Sequence, residues 1–267
     1  MRAMLNRFRL GGLLLASSLL LPAAAPAQEA QEEAAAGMLA IEIPGHQFSF
    51  EGLFGTYDRA ALQRGFQVYQ LVCASCHSLD LVAYRHLEAL GYSAAEVKAI
   101  AAAVTVTDGP NDEGEMFERP GLPSDPFKAP FPNEQAARFV NNGAYPPDLS
   151  LMAKAREAGP DYIVALLTGY HEPPAGFALL EGMSYNAYFP GHQIAMPPPL
   201  VEGSVTYEDG TTASVEQMAA DAATFLMWAA EPHLETRKQT GVKVVLFLLV
   251  MTGLLYAAKR KVWSDLH

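Results

Sequence analysis

A short run of residues near the start of the chain combines two cysteines and a histidine at a spacing that supports specific chemistry. Cys73, Cys76 and His77 form a C-x-x-C-H pattern, which is the signature of covalent haem attachment. Cysteines three residues apart on a helical turn point to one side, where their sulfurs can reach both vinyl groups of one porphyrin. His77 then falls beneath the iron as its proximal ligand. The motif therefore predicts one covalently bound haem c.

A C-x-x-C pair has three alternative roles. A zinc site needs four ligands, and since the chain has two cysteines it would have to recruit His86 and His171 by coincidence. A thioredoxin-like thiol pair normally lies at a helix N-terminus after a strand, whereas here a helix is predicted to run into the motif. A structural disulfide is the third alternative. Haem attachment is favoured because it uses both cysteines and the histidine together.

An iron with one histidine ligand needs a sixth ligand to carry electrons without binding small molecules, and a methionine thioether favours the reduced iron. The candidates are Met116, Met152, Met183, Met196, Met218 and Met227. Met196 precedes three prolines, whose fixed φ angles stiffen a loop and can present one side chain rigidly. From position alone Met196 leads, with Met183 and His192 as alternatives. The last two methionines of the set lie on a predicted core helix, where packing is the simpler role.

Two helices are predicted to position the motif. The first begins after Asp58, a plausible N-cap, and carries apolar residues at helical spacing into Cys73. Gly65 in its middle costs about 0.5 to 1 kcal/mol, and such a glycine often permits close approach of another helix. The candidate partner opens at Ser214, with Gln217 as the return half of a capping box. Its predicted buried face comprises Met218, Ala222, Phe225 and Trp228.

Residues 1–27 have the three-part layout of a secretory signal peptide. Arg2, Arg7 and Arg9 precede an apolar run of twelve positions, and Ala25 and Ala27 form a small-x-small cleavage site. A retained transmembrane anchor is the alternative, but it needs about 20 apolar residues. We therefore expect cleavage before Gln28 and a body comprising residues 28–236.

Residues 237–267 are predicted to form a transmembrane anchor with a short tail. Residues 242–258 are apolar except for Lys243 and Thr252, and basic residues flank both ends. At 1.5 Å per residue this run is about 25 Å long, enough for a bilayer core if Lys243 snorkels. A buried core helix is the alternative. Because the signal peptide exports the body, we expect the body in the periplasm, the anchor in the cytoplasmic membrane and the tail in the cytoplasm.

Composition excludes several classes of protein. Half of the residues are hydrophobic and 18% are charged, which excludes a disordered or fibrous chain, and two cysteines exclude a disulfide-built scaffold. The net charge of −11 makes nucleic-acid binding improbable, because phosphate contacts need clustered Lys and Arg. Residues 28–236 contain nine Lys and Arg against 28 Asp and Glu, a net charge of −19. Such a body attracts basic partners, although solubility alone is an equal explanation.

The chain resembles cytochrome c1, the haem subunit of the quinol–cytochrome c oxidoreductase or cytochrome bc complex, in its bacterial form. The likeness runs in order from about His46 to Trp263. It is carried by RGFQVY at 64–69, AYRHL at 83–87, DGPN at 108–111, GEMF at 114–117, NNGA at 141–144, PPDLS at 146–150, LTGY at 167–170, YFPG at 188–191, AMPP at 195–198 and FLMWAAEP at 225–232.

The resemblance implies roles for individual residues around the haem. It makes Met196 the axial iron ligand opposite His77. It also implies that the haem is lined by Asn141, Pro147, Arg156 and Tyr162. Arg156 is expected near a propionate, since its guanidinium can pair two carboxylate oxygens. Without the resemblance, a solvated helix charge would be the simpler interpretation of Arg156.

The resemblance also implies a function. The chain would be the electron-transfer subunit of the enzyme, respiratory or photosynthetic, passing one electron from the Rieske iron–sulfur protein to a soluble cytochrome c, with no bond changed in a substrate. Expected partners are a cytochrome b subunit, the Rieske protein, the soluble acceptor and the membrane, in a dimeric complex without nucleic acid. The alternatives are a membrane-anchored cytochrome c of another oxidase or reductase, a periplasmic thiol-disulfide oxidoreductase, and a purely structural anchor for partner subunits.

The predicted fold is a mainly α cytochrome c-type haem domain with long loop insertions, followed by the anchor. Residues 120–132 contain five prolines and cannot form regular helix. A short β-hairpin is predicted between residues 201–207 and 211–212 about Asp209 and Gly210. Some bacterial relatives carry an extra cysteine pair in the haem-pocket loops; here packing and prolines must replace it. The acidic run of Asp108, Asp112, Glu113, Glu115 and Glu118 either faces a basic cytochrome c or another small subunit, or is a solvated loop.

Overall fold

The computed structural model describes residues 41–266, so the predicted signal peptide at residues 1–27 lies outside the described residues. The described part is mainly helical. Its α-helices are α1 (Arg59–Leu71), α2 (Ala94–Ala102), α3 (Glu134–Val140), α4 (Met152–Ala155), α5 (Pro160–Thr168), α6 (Val215–Ala230) and α7 (Leu234–Val262). Short 3-10 turns occur at Cys73–Ser75, Tyr84–Leu90, Pro190–His192 and Ser264–Leu266. The mainly α fold class is confirmed.

Both predicted helix starts are confirmed by their caps. The Asp58 carboxylate accepts from the backbone N–H of Ala60 at 2.9 Å, and the Ser214 hydroxyl accepts from that of Gln217 at 3.1 Å. Each cap satisfies one of the N–H groups that a helix start leaves unpaired. The return half of the predicted capping box is absent at α6, because the Gln217 side chain instead donates to Asp221 at 3.0 Å.

Helices α1 and α6 cross at Gly65, as predicted. A Cβ atom placed on Gly65 would lie 2.0 Å from the Asp221 carbonyl oxygen, so only glycine permits this separation of the two backbones. Beside the crossing, the Arg64 guanidinium donates two hydrogen bonds to the buried Asp221 carboxylate, at 2.9 and 3.0 Å. The crossing and the ion pair together fix α1, and thus the residues that follow it.

The aromatic core surrounds this crossing. The residues predicted for the inner face of α6 are all buried, including Phe225 and Trp228. Phe66 of α1 lies 5.7 Å from Phe225 between ring centroids and 5.9 Å from Phe127. Phe127 comes from the proline-rich segment 120–132, which contains no helix, as predicted. That loop is therefore packed against the domain rather than free.

Two small antiparallel sheets occur among the described residues. Strand β1 (Thr105–Asp108) pairs with β2 (Phe117–Pro120), with Thr105 opposite Pro120, and β3 (Ser184–Tyr185) pairs with β4 (Gln193–Ile194). The acidic run lies on β1, β2 and the loop between them.

The hairpin predicted between residues 201–207 and 211–212 is wrong in position, because no strand forms there. The turn exists, since Gly210 donates its N–H to the Tyr207 carbonyl at 3.2 Å. The segment bonds mainly to α1: the Thr206 carbonyl accepts from the Gln67 side chain at 2.8 Å, and Asp209 in the turn pairs with Arg64 at 2.9 Å. A single backbone bond, from the Gly203 N–H to the Ala213 carbonyl at 3.4 Å, joins its two sides. Tertiary contacts thus replace the cross-strand ladder.

The C-terminal helix α7 has 29 residues and encloses the predicted apolar run at 242–258. It is long and apolar enough to cross a membrane, and the side chains of its apolar part are exposed rather than packed on the domain. The alternative of a buried core helix is therefore wrong. Within residues 41–266 the fold is a helical domain followed by one helix suited to a membrane anchor.

We expect Gly65→Ala to destabilise the protein by about 3 kcal/mol or more, the upper end of the cost of overpacking, because the clash is with backbone and not with a flexible side chain. Chemical denaturation followed by circular dichroism measures the change. Gly45→Ala is the matched control, since a Cβ atom added there would meet no other atom within 4 Å and should change stability by less than about 0.5 kcal/mol. Equal effects of the two substitutions would contradict the crossing.

Candidate haem site

The C-x-x-C-H motif forms a single tight turn at the end of α1. The Cys73 carbonyl accepts from the backbone N–H of Cys76 at 3.1 Å and from that of His77 at 2.9 Å. The two cysteines are partly buried and are not joined to each other, so the disulfide alternative is wrong in this structure. Because the turn places two thiols and an imidazole next to one another, it has the side chains that covalent haem attachment needs.

The environment of Cys73 does not suit a reactive thiol. Burial raises the pKa of the Cys73 thiol to about 12. The motif follows the C-terminal end of α1, where the helix dipole disfavours a thiolate, whereas catalytic cysteines lie in electropositive sites with a lowered pKa. The thiol-disulfide alternative is thus disfavoured, and no group of three or more metal-binding side chains occurs among residues 41–266 to support the zinc alternative.

The ring of His77 is fixed by one hydrogen bond. Its Nδ1 lies 2.8 Å from the Pro147 carbonyl oxygen, which can only accept, so Nδ1 carries the proton. The second nitrogen, Nε2, is then the unprotonated one, as an iron ligand must be. Burial also lowers the pKa of His77 and so favours the neutral ring. Pro147, predicted to line the haem, therefore orients the ring of His77, the predicted proximal ligand, through its backbone carbonyl.

The segment that carries Pro147 is fastened to the residues after His77 by Asp148. The Asp148 carboxylate accepts from the Ser78 hydroxyl and the Asp80 N–H, each at 2.8 Å, and from the Ser150 N–H at 2.9 Å. Burial raises the pKa of Asp148, but the hydrogen bonds from Asp80, Ser150 and Ser78 outweigh it and leave the pKa lowered. No role was predicted for Asp148, although this residue lies in the PPDLS segment at 146–150 that contributes to the resemblance.

The backbone at Met196 is held by a tyrosine that was also not predicted. The Tyr170 hydroxyl donates to the Met196 carbonyl at 3.2 Å, and Met196 itself is partly buried between β4 and the three prolines. The alternative ligand His192 has its Nδ1 3.3 Å from the Asn186 carbonyl oxygen, and its ring stacks on Tyr185. Met183, the other alternative, is partly buried.

The remaining methionines are placed less favourably for a ligand. Met218 is fully buried in the apolar cluster beside α6, and Met152 and Met227 pack against the main core. Met116 is 60% exposed in the loop between β1 and β2. Met196 has a held backbone and a partly buried side chain, and its role as the iron ligand stays a prediction, as do the alternatives Met183 and His192.

Arg156 and Tyr162 are brought together by the short connection between α4 and α5. The Arg156 guanidinium carbon lies 6.0 Å from the Tyr162 ring centroid, and Arg156 makes no ion pair within residues 41–266. It follows α4 in extended conformation, so it is not a charge on a helix surface. An exposed guanidinium without a carboxylate partner fits the predicted contact with a haem propionate.

Asn141 ends α3, and its side chain donates to the Ala137 carbonyl at 2.7 Å. Next to it, Phe139 is 89% exposed, and Val140 and Tyr145 are also exposed. Adjacent exposed apolar side chains usually mark a surface that binds something. Apolar groups beside Asn141, two sulfurs on one turn and a histidine with fixed tautomer together fit a haem; the predicted contacts of Asn141, Pro147, Arg156 and Tyr162 with it stay predictions.

The fold and this site define a class of protein: a c-type cytochrome domain joined to one membrane anchor. The chain matches the family model described as the Cytochrome C1 family over residues 48–266, and it belongs to that family.

Curated relatives from bacteria and plants are similar over most of the chain. "Cytochrome b/c1" of Bradyrhizobium diazoefficiens is 52% identical over 84% of this chain, which spans 36% of that relative. "Cytochrome c1-2, heme protein, mitochondrial" of Solanum tuberosum is 54% identical, over 85% of this chain and 87% of the relative. "Cytochrome c1" of Rhodospirillum rubrum is 47% identical, over 84% and 89% respectively.

We expect Asp148→Asn to destabilise the domain by about 1.5 to 3 kcal/mol at pH 7, the usual value of hydrogen bonds to a charged group. Because the folded pKa is lowered, this contribution is present above the unfolded pKa of about 3.9 and is lost as pH falls through the folded pKa. The stability difference, measured by denaturation between about pH 3 and 7, should therefore shrink below about pH 4.

The matched control for Asp148→Asn is Asp112→Asn, because Asp112 is an exposed carboxylate in the acidic loop. This substitution should change the free energy of unfolding by less than about 0.5 kcal/mol. A loss at Asp148 that is unchanged at acid pH, or one no larger than that at Asp112, would contradict the proposed role of the carboxylate.

Proposed function

We propose that this chain is the haem-bearing electron-transfer subunit of a quinol–cytochrome c oxidoreductase, the cytochrome bc complex. The function is transfer of one electron from the Rieske iron–sulfur subunit to a soluble cytochrome c. The observation that carries the proposal is the turn formed by Cys73, Cys76 and His77, with His77 bonded to Pro147, in a chain that belongs to the Cytochrome C1 family. The name of the Bradyrhizobium relative, "Cytochrome b/c1", supports association with a cytochrome b.

When bound, the haem supplies an iron that alternates between ferric and ferrous states. The protein's own residues then do four things. Cys73 and Cys76 would hold the porphyrin through thioethers, and His77 would bind the iron through Nε2, because its Nδ1 is bonded to the Pro147 carbonyl. Met196 would be the second iron ligand, and a thioether ligand favours ferrous iron and raises the potential. Arg156 would pair with a propionate.

The acidic run separates into two parts with different roles. Arg119 bonds to Asp108 and also to Asp125, at 2.6 and 3.0 Å, so Asp108 acts in holding the β1–β2 loop. Asp112, Glu113 and Glu115 are exposed in that loop. A negative surface of this kind raises the encounter rate with a basic partner. We assign it to the approach of the soluble cytochrome c.

We further propose that the domain lies in the periplasm, anchored in the cytoplasmic membrane by α7 with its C-terminus inside, after removal of residues 1–27. In this arrangement the chain works in a dimeric complex with a cytochrome b subunit and the Rieske protein.

Purification of the full chain from its membranes tests the proposal. We expect a complex that contains a cytochrome b and an iron–sulfur protein, reduces soluble cytochrome c with quinol, and gives the pyridine haemochrome spectrum of haem c. Purification with oxidase subunits instead would support a membrane-anchored cytochrome c of another complex. Activity that survives loss of the haem would support a purely structural role.

We expect Met196→Leu to lower the reduction potential by more than about 59 mV, which corresponds to a tenfold shift of a one-electron equilibrium. The reason is the loss of a ligand that favours the ferrous state. Redox titration of the haem absorbance in the purified complex measures it. Met116→Leu is the control, because Met116 is 60% exposed in the loop between β1 and β2 and its substitution should leave the potential unchanged. Equal potentials in the Met196 variant and the parent protein would show that another residue binds the iron.

A further inference from the structure

The first turns of the anchor helix are bonded to the haem domain. Arg59 of α1 forms two hydrogen bonds with the Glu235 carboxylate, at 3.1 and 2.9 Å, and Glu235 also accepts from the Tyr57 N–H at 2.8 Å. Leu234, the first residue of α7, is buried in the main core. The start of α7 is therefore part of the domain. The domain has a defined position at the N-terminal end of this helix.

One lysine on the second turn of α7 fixes a loop from the beginning of the domain. The Lys238 ammonium donates to the carbonyl oxygens of Phe50 and Gly52, each at 2.5 Å, and lies 3.4 Å from that of Gly55. Three backbone oxygens thus converge on one charge. We call residues 51–55 the tip loop. Its two ends are joined, since Thr56 donates its N–H to the Ser49 carbonyl at 3.1 Å.

The tip loop turns two large apolar side chains outward. Leu53 is 61% exposed and Phe54 is 80% exposed, whereas Phe48, Phe50 and Tyr57 on either side of the loop are buried in the core. Burying apolar side chains of this size stabilises a folded protein, and neither Leu53 nor Phe54 is buried against the domain. Adjacent exposed apolar residues on a rigid support indicate a contact surface.

The position of the tip loop along α7 identifies what that surface contacts. Lys238 precedes Val242, the first residue of the apolar run, by four residues, which is about 6 Å along the helix axis. The headgroup region on each side of a bilayer is about 5 to 7 Å thick, so a loop held at Lys238 lies at headgroup depth.

We propose that Leu53 and Phe54 insert into the headgroup region of the bilayer and form a second membrane contact beside the anchor. The proposal rests on the membrane anchoring through α7 stated under the proposed function. A single helix leaves a domain free to tilt about its point of entry. A second contact, clamped to the same helix by Lys238, opposes that tilt and holds the domain, and with it the haem site, at one height above the membrane.

The test uses photo-crosslinking of the full chain in its own membranes. Phe54 is replaced by the photoreactive analogue p-benzoylphenylalanine, and the irradiated chain is analysed by mass spectrometry. The matched control is the same analogue at Val201, which is 61% exposed. Glu202, next to it, accepts from the N–H of Val215 at 3.0 Å, so Val201 lies at the end of α6 that is about 24 Å from the end joined to the anchor.

We expect a phospholipid adduct at position 54 that is several times more abundant than at position 201. An adduct between position 54 and another protein subunit would overturn the proposal in favour of a protein interface. Lipid adducts no more abundant than at Val201 would place the tip loop in water and also overturn it. The same mass spectrum reports whether the porphyrin is attached, so failure of this proposal is distinguished from failure of the proposed haem function.

Discussion

The structure depends on one crowded contact, the crossing of α1 over α6 at Gly65. The absence of a side chain lets the two backbones meet, and the Arg64–Asp221 pair locks their register. Since the C-x-x-C-H turn follows α1 directly, its position is set by this crossing. The connection at residues 147–150 then fastens the other side of the turn, where Pro147 orients His77. Two unrelated constraints, one of packing and one of hydrogen bonding, thus converge on the residues that carry the chemistry.

Structural features that depend on neighbouring residues in the sequence were predictable, and features that depend on contacts between distant residues were not. Asp58 and Ser214 mark helix starts because a cap acts on residues two or three positions away. Gly65 was informative because a mid-helix glycine is locally unfavourable and needs a tertiary reason. The hairpin about Gly210 failed because the turn signal is local, whereas the fate of its flanks depends on Gln67 and Arg64, about 140 residues earlier.

The spacing of the motif predicts the residues that would bind the haem, but the residues that hold the neighbouring segments in place were not predicted. Cys73, Cys76 and His77 are marked by a fixed spacing. No local pattern indicates that Asp148 holds the segment that contains Pro147, or that Tyr170 holds the backbone of Met196. The resemblance placed both residues in recognisable segments without giving them roles. The contacts at the start of α7 were not predictable for the same reason. There Lys238 donates to carbonyl oxygens nearly 190 residues earlier in the chain and so joins the anchor helix to the domain.

The central claim is that a porphyrin is covalently bound through the turn after α1. Tandem mass spectrometry of the proteolytic peptide that contains residues 73–77, taken from the purified mature chain, tests it most directly. We expect a single peptide heavier by one haem, with the added mass bridging Cys73 and Cys76 and neither sulfur open to alkylation. A peptide of unmodified mass, with both thiols alkylated after unfolding, would contradict the account.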